Sequence, residues 1–181
     1  MPVTNNCIFR GLSTYTVGMI AAGVRGSSTW VDNLNVELRA KPVPQATANM
    51  LIGLSMSSSR RMIYAGMDFT GDISLLRGKP SFVVGTFIPS GVSSTKITKD
   101  YAVESNISDI SQFYCIRARI TQDISNIVVR LYHGPGDPKL TVTYEKSKFP
   151  DGMVGIAAYN SNLCIDSFGI TTGNNVCGNC E

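Results

Sequence analysis

His133 is the only histidine in the chain, so any scheme that needs an imidazole to move a proton has this one residue to use. Arg130 and Tyr132 precede it, and both types could assist a proton abstraction of the polysaccharide-lyase kind. His133 also opens the run His133-Gly134-Pro135-Gly136-Asp137-Pro138, and glycine and proline in that density predict a solvated turn. Cleaving a glycosidic bond needs two carboxyl groups roughly 5 to 10 Å apart. The four glutamates, Glu37, Glu104, Glu145 and Glu181, do not form the E-x-D-x-E arrangement that would line such groups along one strand. The chain is therefore expected not to be an enzyme.

Other residues suit binding or cross-linking. Asp166 lies among Leu163, Ile165, Phe168 and Ile170, and Asp32 shares an apolar alternation with Trp30 and Leu34. A carboxylate in such surroundings must be hydrogen-bonded or hold an ion. Asp166 and Asp32 are thus the candidate metal ligands, with calcium as the ion and no organic cofactor expected. Trp30 and Tyr101 are the aromatic candidates for stacking on a sugar ring. Cys7, Cys115, Cys164, Cys177 and Cys180 are all disulfide candidates, and their odd number leaves one free or joined to another molecule. Cys177-x-x-Cys180 could be half of a zinc site, but no second such pair completes it. Asn106-Ile107-Ser108 is an acceptor sequence for N-linked glycan, which makes Asn106 the glycosylation candidate.

The elements that must position these residues are short and β-rich. Thr29 to Leu38 alternates, with Trp30, Leu34, Val36 and Leu38 on one side, and Lys41-Pro42-Val43-Pro44 is expected to stop it. Met50 to Ser55, Met62 to Phe69, Ile73 to Arg77, Phe82 to Phe87, Phe113 to Ile120, Ile127 to Tyr132, Leu140 to Tyr144, Met153 to Tyr159 and Leu163 to Ile170 read as further strands. Residues 88–110 are polar and read as long loops with at most one short strand. No window keeps a helical spacing. Many short antiparallel strands without helix predict an all-β, two-sheet antiparallel β-sandwich.

Composition agrees. With 181 residues, 43% hydrophobic and 16% charged, the chain can bury one core. A net charge of +3 from scattered basic residues gives no continuous basic face for nucleic acid. The longest apolar stretch, Val17 to Val24, is broken by glycines and too short to span a membrane, and the N-terminus does not read as a leader. Low charge, cysteines and the acceptor sequence place the protein outside the cell or at its surface.

The segments Phe113 to Ile120, Ile127 to Tyr132 and Gly152 to Phe168 resemble the closing strands of concanavalin A-like (laminin-G and glucanase-like) jelly-roll domains. Trp30 to Val36, Gly53-Leu54, Tyr64 to Gly66 and Ile73 to Arg77 resemble the earlier strands more loosely. The resemblance implies a jelly roll over residues 29–172, preceded by a strand-bearing segment, 1–28, and followed by a cysteine-containing tail, 173–181. It implies no single function, because this fold carries lectins, hydrolases, lyases and adhesion modules. Val17-Gly18-Met19-Ile20-Ala21-Ala22 echoes Val154-Gly155-Ile156-Ala157-Ala158. An apolar strand outside the best-matched region can pair at home or add to a neighbour's sheet edge. The first expectation is a non-catalytic structural or adhesive module that self-associates into an oligomer or fibre. A carbohydrate-binding module or lectin, with glycans as partners, is the alternative, and a lyase or glycosidase on the same fold comes after it.

Overall fold

Two-residue alternation fixes which side chains of each strand share a face, and in this chain the inward set is almost wholly aliphatic. The computed structural model describes residues 6–8, 17–21, 33–44, 46–56, 61–73, 76, 78–90, 94–149, 153–159 and 161–172. Twelve strands are present among them: β1 (Asn6–Ile8), β2 (Val17–Ala21), β3 (Leu34–Pro42), β4 (Asn49–Met56), β5 (Met62–Asp68), β6 (Ser81–Ser90), β7 (Ser94–Glu104), β8 (Tyr114–Gln122), β9 (Asn126–Tyr132), β10 (Leu140–Glu145), β11 (Met153–Tyr159) and β12 (Leu163–Thr172). They form two six-stranded sheets, β1-β12-β3-β8-β9-β10 (sheet I) and β2-β11-β4-β5-β6-β7 (sheet II), with every neighbour antiparallel. The all-β sandwich read from the sequence is what the chain adopts.

The core lies between the sheets. Sheet I contributes Val36, Leu38, Ile116, Ala118, Val129 and Leu131; sheet II contributes Met50, Ile52, Ile63, Ala65, Met67 and Val84. A second apolar cluster forms on the outer face of sheet II from Leu51, Met62, Tyr64, Val83, Phe87 and Ala157, with Ile73 laid over it from the loop after β5. Tyr64 and Phe87 pack with ring centroids 5.0 Å apart. This is why β5 is buried along its whole length and shows no alternation of burial.

Three elements differ from the sequence reading. Ile73 and the described residues that follow it lie in turns, because the buried Asp68 carboxylate accepts the backbone N–H groups of Gly71 (3.0 Å) and Ile73 (2.7 Å) and bends the chain away from a sheet. Residues 88–110, read as loops, hold the end of β6 and the eleven-residue β7. β7 is an edge strand that needs only one partner and little apolar burial, so its polar sequence hides it. β3 runs through Lys41 to Pro42 instead of stopping before them, since a proline at a strand end loses little of the ladder.

The two apolar segments that echo one another bond to each other: β2 lies antiparallel to β11, with Ile20 opposite Ile156 and Gly18 opposite Ala158. β1 pairs in the same way with β12. The two described strands of the N-terminal segment thus pair within the chain, at the edges of the two sheets.

The hairpin joining β8 to β9 is held by Asp123, whose carboxylate accepts the backbone N–H groups of Ser125 (2.8 Å) and Asn126 (2.7 Å). These bonds, that of Ser125 first, hold the Asp123 carboxyl below its ordinary value. A carboxyl depressed on folding contributes stability that is complete above its unfolded-state pKa and is lost as pH falls through the folded-state value. A carbon-detected NMR titration of the Asp123 carboxyl should therefore give a midpoint below the ordinary value of an aspartate. A midpoint at or above that value would contradict the turn geometry.

Candidate functional site

The outward side of sheet I carries the polar residues of its alternating strands. On β8, Arg117, Arg119 and Thr121 alternate with the buried Ile116, Ala118 and Ile120; on β9, Val128, Arg130 and Tyr132 alternate with Ile127, Val129 and Leu131. Antiparallel register then sets Arg117 opposite Tyr132 and Arg119 opposite Arg130. The Arg117 guanidinium sits 4.6 Å from the centroid of the Tyr132 ring, a cation–π contact. Arg130 donates to Thr121 Oγ1 at 3.0 Å, and Arg119 donates to Asn33 Oδ1 at 3.2 Å. β10 adds the exposed Thr141 beside Arg130 and Thr143 beside Val128. On the other flank β3 sets the buried Asn35 and Glu37 opposite Arg119 and Arg117.

Two arginines directly opposite one another across a strand pair repel. Among the described residues, these three guanidinium groups lie beside the Glu37 carboxylate, and Arg117 Nε is buried without a hydrogen-bond partner. Guanidinium groups offer donors in a rigid fork that matches carboxylates, sulfates and pairs of hydroxyls. With its half-exposed β8 and β9 residues and the exposed threonines of β10, the platform is equipped to bind a polar ligand.

Of the residues singled out from the sequence, Arg130 and Tyr132 lie on this platform, whereas His133 and the metal, sugar-stacking and glycosylation candidates with a described position do not. His133 follows Tyr132 but turns to the end of the sandwich. Its Nδ1 lies 2.9 Å from the Cys115 carbonyl, and its ring packs 5.6 Å from that of Phe82 and 6.2 Å from that of Tyr114. Instead of standing solvated in its turn, it is half-buried against this closing cluster. Tyr114 donates to the Asp109 carbonyl at 2.6 Å, and burial, with the Asp109 charge, raises its hydroxyl above the ordinary tyrosine value.

Asp166 departs from its expected setting. β12 bulges between Ile165 and Ser167, which turns the Asp166 side chain outward to pair with Arg39 at 2.9 Å, both about half exposed. The bulge removes it from the apolar surroundings that suggested an ion. No group of three or more His, Cys, Asp or Glu side chains suited to a metal is found among the described residues. Asp32 and Trp30 lie outside the described residues, as do Cys177 and Cys180. Tyr101 is 50% exposed on β7, at the edge of sheet II, away from the platform. Asn106 is exposed in the loop after β7, where Ser105 Oγ accepts the N–H of Ile107 at 3.1 Å. Cys115 and Cys164 are half-buried on β8 and β12, and Cys7 lies on β1.

The sequence did not point to the arginine platform, although its signal was there: arginines at alternate positions of one apolar strand, followed by Arg130 and Tyr132 at alternate positions of the next. What joins them is the cross-strand register, which depends on the length of the hairpin between.

Order and pairing of the strands can be compared with solved structures. The exoplasmic/lumenal domain of VIP36, in its Ca2+/Man3GlcNAc-bound form, superposes with a TM-score of 0.53 over 97% of this chain and 84% of its own, at 10% identity. The fold is the concanavalin A-like jelly roll. At that identity the likeness is one of fold. A tetrameric galectin from the sponge Cinachyrella sp. matches 85% of this chain and 98% of its own at 9% identity, with a TM-score of 0.47. A functionally unknown protein from Saccharomyces cerevisiae matches 81% of this chain and 72% of its own at 10% identity, with a TM-score of 0.49. No protein-family model matches the sequence, and no curated protein matches it. Within the jelly roll, the arginine platform occupies the β8–β9–β10 side of sheet I. No helix among the described residues is long and apolar enough to cross a membrane.

Proposed function

We propose that this chain is a non-catalytic carbohydrate-binding module, extracellular or lumenal, and that the β8–β9–β10 platform takes the glycan. The observation that carries the reading is the Arg117–Tyr132 stack beside Arg119, Arg130, Thr121 and Thr141 on the outer side of a rigid sheet. Sugars are held by planar, multidentate donors and aromatic groups fixed before the ligand arrives. The three arginines of the platform favour glycans that bear carboxylate or sulfate groups. The VIP36 domain, solved with Man3GlcNAc, supports glycan binding as a use of this fold. Of the functions expected from the sequence, this one is preferred to self-assembly, because an arginine-bearing, polar surface suits a hydrophilic ligand better than a packed contact between copies.

A glycan array probed with the wild type, Arg130→Ala and Tyr132→Ala tests it. The wild type should bind a subset enriched in acidic glycans. Each substitution should weaken binding about tenfold or more, since a hydrogen bond to a charged group contributes roughly 1.5–3 kcal/mol. Both positions lie outside the core, so circular dichroism should be unchanged. An array on which the wild type binds nothing, or on which both variants bind as it does, rules the proposal out.

A further inference from the structure

We infer that the arginine platform continues into the cavity at the far end of β9 and β10, and that the two together hold a linear glycan along several consecutive sugar residues, not a terminal sugar alone. The inference rests on the glycan reading of the platform and sets the length of chain it takes.

Register carries the outward face of β9 beyond Arg130. Thr121, Val128 and Thr143 form the next row across β8, β9 and β10, and Asn126 stands opposite Glu145 in the row after it. The side chains of the middle row are short, and Arg130 reaches into it to donate to Thr121 Oγ1 at 3.0 Å. Asn126 and Glu145 then line a cavity of about 640 Å³, framed by the β8–β9 hairpin and by the turn that follows β10. Pockets that take small ligands have about this size. From Tyr132 to Asn126 is six strand residues, roughly 20 Å, more than one sugar ring can cover.

The cavity has the mixture of groups that a sugar ring needs. Ser125, Asn126, Lys146 and Ser147 bring hydroxyl, carboxamide and ammonium groups to meet its hydroxyls. Ile124 and Phe149 supply apolar walls for its C–H face. Ile124 is 97% exposed, so folding buries none of its apolar surface, whereas a ligand in the cavity would cover part of it. Phe149 is the fixed wall, buried with its ring centroid 5.4 Å from that of Tyr144. The frame is set before a ligand arrives. Lys146 N–H donates to the Ser125 carbonyl at 2.8 Å, and Asp123 holds the hairpin from within. Glu145 pairs with Lys148 at 2.9 Å, which lessens its repulsion of an acidic chain.

Isothermal titration with size-fractionated oligosaccharides of heparin and of polygalacturonate, from disaccharide to hexasaccharide, tests it. The wild type should bind the hexasaccharide of at least one series about tenfold or more tighter than its disaccharide. The Ile124→Ala/Lys146→Ala double variant should lose most of that gain. It should bind the disaccharide as the wild type does, which also shows that it is folded. Arg130→Ala should weaken binding at every length. Equal affinity of the wild type for all lengths, or a double variant that keeps the full gain, overturns the inference. The platform reading stands in either case if Arg130→Ala still weakens binding. A wild type that binds neither series overturns both.

Discussion

Gly66→Ala is expected to lower the stability of this domain by about 3 kcal/mol or more, one methyl group against most of the margin a small domain has. Gly66 sits in the middle of β5 with Leu51 of β4 on one side and Val83 of β6 on the other. A Cβ built there would lie against the Met50 carbonyl oxygen and 2.9 Å from the Leu51 Cα, both backbone atoms of a central strand. A flexible side chain could swing away from such an intrusion. A ladder hydrogen-bonded on both sides can yield only by parting β4 from β5, and those strands carry Met50, Ile52, Ile63 and Ala65 into the core. For a chain of this length about 3 kcal/mol corresponds to a melting temperature lower by roughly 6–12 °C. Thermal unfolding followed by circular dichroism measures it, and a shift under 2 °C would mean that β4 and β5 do not approach as closely as described.

Gly66 also shows where sequence reading stops. Tyr64-Ala65-Gly66 was legible as part of a strand, but the need for glycine comes from the carbonyl of Met50, sixteen positions earlier, and no local pattern reports it. The strands with one wet face were the easiest to read. Ile127 to Tyr132 alternates because Val129 and Leu131 face the core while Arg130 and Tyr132 face outward. β4, β5 and β6 are apolar on both sides, which told of burial without telling what lies on each face. The second cluster around Tyr64 and Phe87 emerges only once Ile73 is folded over it. Asp68 redirected a segment that had the pattern of a strand, and the β12 bulge took Asp166 out of an apolar setting that its neighbours in sequence implied. In both cases a single contact outweighed periodicity. The platform arginines show the same division: their side of each strand was readable, their juxtaposition was not.

Asn49→Leu is the other substitution with a large expected effect, because Asn49 does with its side chain what the backbone does elsewhere in sheet II. The register between β4 and β11 runs from Met153 opposite Met56 to Ala157 opposite Leu51 and then ends. Two residues further along, the Asn49 carboxamide takes over. Its Nδ2 donates to the Tyr159 carbonyl at 2.7 Å and its Oδ1 accepts the Tyr159 N–H at 2.9 Å. Asn49 is fully buried, and Ser161 Oγ accepts its backbone N–H at 3.1 Å. Leucine has nearly the same shape and can satisfy neither group of Tyr159. Two backbone groups that lose these hydrogen bonds cost about 1–3 kcal/mol each, so a loss of about 3 kcal/mol is expected overall. Amide hydrogen exchange separates this cause from general loosening. The Tyr159 amide should be accelerated in Asn49→Leu at least tenfold more than the amides of Val129 and Leu131 in sheet I, which speed up only as far as the global stability falls. If Tyr159 is accelerated no more than those two, the carboxamide is not what closes the end of β11. Tyr159 also packs its ring 6.4 Å from that of Phe87, so freeing its backbone should loosen the outer cluster as well, and Phe87→Leu in the same background should add less than it costs alone.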